Sequence, residues 1–246
     1  MDRAEALLLE AQSLAARVGL EISDIACGLG FVRRHAADFT GAHLLLKQAW
    51  QMAQAEQDHW RECACLSYLA MVELEAGNPL RAIAYSTELA TVATKISGEG
   101  SEGTMASALT ALANYQRQQP GADAALEQAI ATLQQIDAKR MLSYVLIGAA
   151  EVNLEWKRLQ WVVQRSEAAL QAAQIIKHPS EITLAWAMSI RGFLALGERE
   201  QTIKQFELLG DEIDRHPLSV RARTAVDQVV QQMQLTTGSC KALDNR

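Results

Sequence analysis

The chain has 246 residues and a mass of 27.0 kDa, and 49% of its residues are hydrophobic, which is enough apolar surface to bury a core. Only 5% of the residues are aromatic, with 14 glycines and 4 prolines, a composition that is typical of helical proteins and excludes an all-β fold. The formal net charge of -6 argues against a surface that binds nucleic acid or anionic lipid, so neither is expected as a partner.

Nothing in the sequence predicts a membrane or secreted location. No apolar run approaches the roughly 20 residues of a membrane-spanning helix, and residues 1–19 mix acidic and polar residues with their leucines, as an amphipathic helix does and a signal peptide does not. The four cysteines, Cys27, Cys63, Cys65 and Cys240, are too few for a disulfide framework. We therefore expect a cytoplasmic protein with no membrane partner.

Prolines and polar or glycine breaks divide the chain into segments with the apolar periodicity of helices. Pro79, Pro120, Pro179 and Pro217 each fall near the start of such a segment, where the first turn of a helix tolerates proline. The predicted helices lie at 2–17, 21–37, 39–55, 58–76, 79–96, 103–118, 121–136, 138–156, 158–175, 179–195, 198–215 and 217–234. No strand is predicted.

From residue 21 onward the predicted helices form pairs with similar residues at matching positions. The first helices carry Ala26, Leu29 and Gly30; Leu66, Leu69 and Ala70; Leu109, Leu112 and Ala113; Leu146, Ala149 and Ala150; and Trp186, Ser189 and Ile190. The second helices carry anchors seven residues apart, namely Ala42 and Ala49, Ala82 and Leu89, Ala125 and Thr132, Val162 and Ala169, and Thr202 and Leu209. Each pair has an apolar face that it cannot cover alone, so stacked pairs would share one continuous core.

This pattern resembles the tetratricopeptide repeat family over residues 21–215. The anchors of the second helices recur after 40, 43, 37 and 40 residues, longer than the usual repeat of about 34 residues and similar to the long repeats of MalT-like transcription regulators and bacterial signalling ATPases. The resemblance implies an all-α, right-handed solenoid of about five helical hairpins, with an extra N-terminal helix and a C-terminal capping helix.

We predict a single solenoid domain over 1–235 and a flexible tail over 236–246. The last predicted helix has an apolar face suited to covering the open end of the last hairpin. The first helix looks like the second helix of a pair without its partner, so either the protein begins within a repeat or the chain was cut from a longer one.

No combination of residues predicts a catalytic centre. Residues 98–103 spell G-x-G-x-x-G, but they join two predicted helices and carry two carboxylates where a phosphate would sit, so we predict a loop between repeats. His59 and Cys63 are four residues apart and could face one ion, but only these two good ligands converge. Since no nucleophile, base and oxyanion donor occur together, we expect no enzymatic activity, no cofactor and no metal.

In tetratricopeptide arrays the concave wall is lined by first-helix side chains at fixed offsets from the small anchor. The resemblance therefore implies a partner-binding inner wall made of Phe31, Arg34, Ser67, Met71, Thr110, Asn114, Arg117, Tyr144, Ile147, Glu151 and Arg191. Charge reversal at Arg117, Glu151 or Arg191 is then expected to weaken binding without unfolding the chain. The alternative is that Phe31, Met71 and Ile147 pack between tightly curved repeats while the charged residues form a solvated face.

The function implied by the resemblance is that of a non-catalytic scaffold or adaptor, which presents a concave helical groove to a protein or peptide. A second interpretation is an effector-sensing segment of a signalling or transcription-control assembly. The sequence leaves open whether the concave or the convex face binds. Self-association through the ends of the solenoid is also left open.

Overall fold

The computed structural model of the chain describes residues 2–96, 100–213 and 216–243. In this part of the chain the fold is all-α and solenoid-like, with twelve helices and no strand, as the sequence predicted. The helices are α1 (Asp2–Arg17), α2 (Ser23–His35), α3 (Phe39–Glu56), α4 (His59–Glu75), α5 (Pro79–Ala93), α6 (Glu102–Gln116), α7 (Ala122–Gln135), α8 (Lys139–Glu155), α9 (Leu159–Ile175), α10 (Pro179–Leu196), α11 (Arg199–Ile213) and α12 (Val220–Leu243).

The helices belong to two compact units, Met1–Val145 (unit 1) and Leu146–Arg246 (unit 2), and the division falls within α8. In unit 1, α1 packs on α2, each helix from α2 to α6 packs on the helix that follows it, and α4 also contacts α2 and α6. In unit 2, α10 packs on α9, α11 and α12. Within each unit, then, helices contact both their chain neighbours and the corresponding helix of the next hairpin, as in repeat proteins. The single domain over 1–235 stays a prediction.

Short turns with a left-handed residue join most of the helices. Positive φ angles occur at Gly19, Ala37, Gln57, Gly77, Gln118, Gly121, Asp137, Lys157, Lys177 and Gly197. All of these except Gly19, Gln118 and Gly121 lie at 20-residue intervals, or a multiple of 20, so one helix with its turn takes 20 residues and a hairpin takes 40. In three of these turns the next residue caps the following helix. The carboxylate of Asp38 accepts from the amide of Gly41 at 2.9 Å, that of Asp58 from the amide of Arg61 at 3.1 Å, and Nδ1 of His178 from the amide of Glu181 at 3.3 Å.

Small residues allow the helices of a hairpin to approach closely. Ala42 and Ala49 of α3 are fully buried, as predicted. Opposite them on α2, a Cβ atom added to Gly30 would lie only 2.6 Å from Cγ of Leu46. The α2–α3 contact therefore requires a residue without a side chain at position 30.

The predicted anchors of α7 were wrong by three residues. Ala125 is exposed and Thr132 is only half-buried, whereas Ala122 and Ala129 are buried. With this correction, the buried anchors of the second helices begin at residues 42, 82, 122, 162 and 202 and recur every 40 residues. The repeat is therefore more regular than the sequence indicated.

The last helix also differs from its prediction. It begins at Val220 and not at residue 217, because the hydroxyl of Ser219 accepts a hydrogen bond from the amide of Ala222 at 3.2 Å and so caps the helix. Its backbone continues to Leu243, past the predicted end at residue 234. Residues 244–246 lie outside the described part of the chain, and the flexibility of 236–246 stays a prediction. Residues 98 and 99 of the G-x-G-x-x-G segment lie outside it as well.

Candidate partner-binding site

Five of the predicted wall residues come together in unit 1, where α2, α4 and the first turns of α8 meet. The guanidinium of Arg34 lies 5.3 Å from the centre of the Tyr144 ring, and the Tyr144 hydroxyl donates to the carbonyl of Met71 at 3.3 Å. Phe31 is on the same face of α2 as Arg34, and Ser67 is one turn before Met71 on α4. The structure thus brings these five predicted residues together in unit 1, and their role in binding a partner stays a prediction.

Several of these side chains contact one another and leave little surface for a partner. Arg34 donates from Nε to Oε2 of Glu75 at 3.0 Å, and each of the two side chains is 8% exposed. Tyr144 and Met71 are also buried. Arg34 therefore serves within the unit, where it joins α2 to α4 and to the start of α8.

Two aromatic rings and a second arginine form the accessible part of this face. Phe31 and Tyr68 meet edge to face, with ring centres 5.3 Å apart. Arg140, an exposed residue of the first turn of α8, lies 5.5 Å from the Phe31 ring centre and 5.7 Å from that of Tyr68. It forms no ion pair with the residues that the structure describes, so its charge is available to a ligand. Such cation–π contacts hold a guanidinium without neutralising it.

A cleft of about 290 Å³ lies beside these rings, between α4, α6 and the start of α8, and we call it the α4 cleft. Its lining includes the predicted residues Ser67 and Met71. The other lining residues that define its chemistry are Trp60, Met105, Met141, Glu102 and Arg140. Trp60 is 56% exposed, so a large apolar ring faces solvent at this cleft. The cleft thus combines apolar, flexible walls with one unpaired positive charge.

The thiol of Cys63 also lines the α4 cleft. Burial, with a smaller contribution from the nearby carboxylates of Glu102 and Glu62, raises its pKa to about 11. The thiol is therefore protonated near neutral pH. On the same helix, Nδ1 of His59 lies 2.7 Å from Oε1 of Glu62. The described residues hold no group of three or more His, Cys, Asp or Glu side chains that converge as a metal site would.

The fixed offsets from the small anchors, which gave the predicted inner wall, did not identify three residues that shape this site. Arg140 is one turn before Tyr144 on α8, Tyr68 follows Ser67 directly, and Trp60 is at the start of α4. A helical spacing of three or four residues from Met71 would have found Tyr68, and from Tyr144 it would have found Arg140. Their convergence depends on how α8 packs in unit 1, which no local pattern encodes.

The predicted residues of α6 lie apart from the α4 cleft. Thr110 and Asn114 are half-buried on α6, and Arg117 follows its last turn as the C-cap. None of the three lines the cleft. Their place in a partner-binding surface stays a prediction.

The three predicted residues in unit 2 are covered or engaged by other side chains. Ile147 is 1% exposed. Glu151 accepts from Arg221 of α12 at 2.6 Å, and Arg191 donates to the side-chain oxygen of Gln228 of α12 at 3.0 Å. Charge reversal at Glu151 would set two guanidinium groups against each other. That substitution is therefore expected to disturb the packing of α12 as well as any partner, contrary to the expectation from sequence.

Comparisons with known proteins identify the fold and no more. No family model matches the chain, and no curated protein matches its sequence. Among solved structures, the chain is similar to BtubC (BKLC) from P. vanneervenii, with a TM-score of 0.54, 17% sequence identity, and coverage of 88% of this chain and 93% of that one. At this identity the likeness supports a helical-repeat fold. Of the helices that the structure describes, none combines the length and the hydropathy that crossing a membrane requires.

Proposed function

We propose that this chain is a non-catalytic scaffold that binds a protein or peptide partner through the α4 cleft. The observation that supports the proposal is the composition of the cleft, in which the exposed Trp60 lies beside Met71, Met105 and Met141 and beside the unpaired charge of Arg140. Tryptophan, methionine and arginine are enriched at protein interfaces, and tryptophan and arginine dominate their binding energy. Methionine walls also adapt to side chains of different shapes.

The charge in the cleft suggests what the partner carries. The rings of Phe31 and Tyr68 hold the guanidinium of Arg140 at a fixed place, so a partner carboxylate can pair with it without ordering a mobile side chain first. An aliphatic or aromatic side chain would fill the apolar part of the cleft. The partner is therefore a segment with an Asp or Glu close to a large apolar residue.

The test is selection from a random peptide library displayed on phage, followed by titration of the selected peptides. We expect enrichment of peptides with an acidic residue near an apolar one. Arg140→Glu should weaken their binding at least about tenfold, the equivalent of about 1.4 kcal/mol. Lys47→Glu makes the same change of charge at an exposed position of α3 outside the cleft and should leave affinity unchanged.

Two results would count against this assignment. If Arg140→Glu and Lys47→Glu weaken binding equally, the effect comes from the net charge of the chain and not from the cleft. If selected peptides bind Trp60→Ala as tightly as wild type, the apolar part of the cleft is not used. The second result would mean that the selected peptides bind another face of the helices.

The tetratricopeptide assignment belongs to the same proposal. It is supported by the buried anchors of the second helices, which recur every 40 residues and so keep the long spacing that suggested this repeat type. A cytoplasmic location is likewise proposed. The effector-sensing alternative requires a small-molecule pocket, and the α4 cleft is at the lower end of the roughly 300–1,000 Å³ that such pockets span. A metabolite that raises the thermal midpoint of wild type but not of Trp60→Ala would favour that alternative.

A further inference from the structure

Helices α2 and α4 run side by side with their contacts in register. Near the start of both helices, Arg61 donates to Asp24 at 3.0 Å. Two turns later, the rings of Phe31 and Tyr68 meet with centres 5.3 Å apart. The positions between these two contacts are Cys27, three residues after Asp24, and Cys65, four residues after Arg61. The register therefore sets these two cysteines opposite each other.

The two cysteines pack in the same apolar cluster between the helices. Cys65 is buried in a cluster with Ala26 and Ala49, and Cys27 packs against the same cluster. Both are free thiols, and Cys27 is the more exposed of the two. A disulfide requires cysteines on neighbouring backbones, and α2 and α4 pack against each other here.

The environment distinguishes the two sulfurs chemically. A hydrogen bond from Cys65 lowers the pKa of Cys27 and outweighs burial and the charge of Asp24, which act in the opposite direction. The same hydrogen bond and burial raise the pKa of Cys65. Because the thiolate is the nucleophile, Cys27 is the sulfur that a small oxidant would meet first.

We propose that Cys27 and Cys65 are an oxidation site, at which a hydroperoxide converts the two thiols into a disulfide between α2 and α4. The Cys27 thiolate attacks one peroxide oxygen and the O–O bond breaks, so that after protonation of the leaving oxygen the products are a sulfenic acid and an alcohol, or water when the oxidant is hydrogen peroxide. The Cys65 sulfur then attacks the Cys27 sulfur, the S–O bond breaks, and the hydroxyl leaves as water with the Cys65 proton. In total the two thiols lose two electrons and the peroxide gains them.

The position of the pair gives the oxidation a structural effect. The disulfide would lie one turn from the Phe31–Tyr68 ring contact, which holds Arg140. It would also close a loop that contains the whole of α3. Oxidation would thus fix α2 against α4 beside the face that carries Arg140. This effect does not depend on the proposed function.

The experiment treats the reduced, folded full chain with hydrogen peroxide, blocks the remaining thiols with an alkylating agent, and maps the tryptic peptides without reduction. We expect a loss of two hydrogens in the mass of the intact chain and a link between the peptide of residues 18–33 and that of residues 62–81. Dithiothreitol should reverse both changes. The second peptide holds Cys63 as well as Cys65, so Cys63→Ala is the matched control and should still form the link.

Other oxidation products would overturn the proposal. A link between Cys63 and Cys65, a link from Cys27 to Cys240, or a disulfide between two chains would place the reaction elsewhere. Sulfinic acid at Cys27 with Cys65 still alkylated would show that the two sulfurs do not meet. Because wild-type protein alone decides among these products, the test does not depend on the folding of Cys27→Ala or Cys65→Ala.

Discussion

At the scale of single residues, the ion pair between Arg34 and Glu75 joins α2 to α4 in unit 1. Both side chains are almost fully buried, and Arg34 also lies over the ring of Tyr144. A buried pair contributes little net stability compared with apolar residues, but the loss of one partner leaves an uncompensated charge in a medium of low dielectric constant. The pair therefore specifies how α2, α4 and α8 meet.

Glu75→Gln is expected to destabilise the chain strongly. The substitution keeps the size of the side chain but removes the charge that balances Arg34, which lowers the free energy of unfolding by about 3 kcal/mol. Glu155→Gln is the matched control, since Glu155 ends α8 as Glu75 ends α4 but is exposed. Urea denaturation monitored by circular dichroism measures both. Equal midpoints for the two variants would show that Arg34 finds other compensation.

The sequence could place Arg34 on the correct face of α2 but could not identify its contacts. Helical periodicity fixes which residues share a face, because it depends only on positions three and four apart. Glu75 is 41 residues away in the chain, and Tyr144 approaches only because the first turns of α8 pack against α2. The same reason explains why Arg140 and Tyr68 were missed although Phe31 was found.

At the scale of helices and turns, the 20-residue interval is maintained by backbone strain at several positions. Ala37, Gln57, Asp137, Lys157 and Lys177 adopt left-handed φ angles without being glycine. This conformation costs a residue with a Cβ atom about 1–2 kcal/mol. The regular packing of the helices on either side of each turn compensates for the strain.

Gln57→Gly should stabilise the chain, by about 0.5–1 kcal/mol after allowance for the greater entropy of glycine in the unfolded state. The physical reason is the φ of 55° at Gln57, which glycine adopts without steric cost. Gln51→Gly makes the same change at an exposed position inside α3 and should destabilise by roughly 0.5–1 kcal/mol. Urea midpoints of the two variants are thus expected to move in opposite directions. Destabilisation by both would mean that the Gln57 side chain, and not its backbone, matters in the turn.

The helices themselves could be predicted from sequence, but the buried anchor positions of α7 could not. Prolines, caps and apolar periodicity gave the ends of most helices to within three residues. In α7 the choice between Ala122 with Ala129 and Ala125 with Thr132 depends on the turn before it. That turn has five residues, whereas the others between paired helices have two or three. Both pairs consist of small residues seven positions apart, so spacing alone does not distinguish them.

At the scale of the whole chain, the helices of unit 1 differ in how many neighbours support them. Helix α4 packs on α2, α3, α5 and α6, whereas α1 packs on α2 and leaves Leu7, Leu9 and Leu14 exposed. In a repeat protein, the stability of each segment is close to a sum over its own helix and its neighbouring interfaces. Opening of α1 should therefore require much less free energy than opening of α4.

Hydrogen exchange measured by mass spectrometry should show this gradient directly. We expect the amides of α4 to exchange at least about a hundredfold more slowly than those of α1, once rates are corrected for sequence. The Glu75→Gln variant provides a second comparison, because loss of the Arg34 contact should speed exchange in α2 and α4 and leave α1 nearly unchanged. Equal protection of α1 and α4 would instead mean that unit 1 opens in a single cooperative step. In that case the exposed leucines of α1 would not mark a weakly held end, and the additive description of the repeats would fail for this unit.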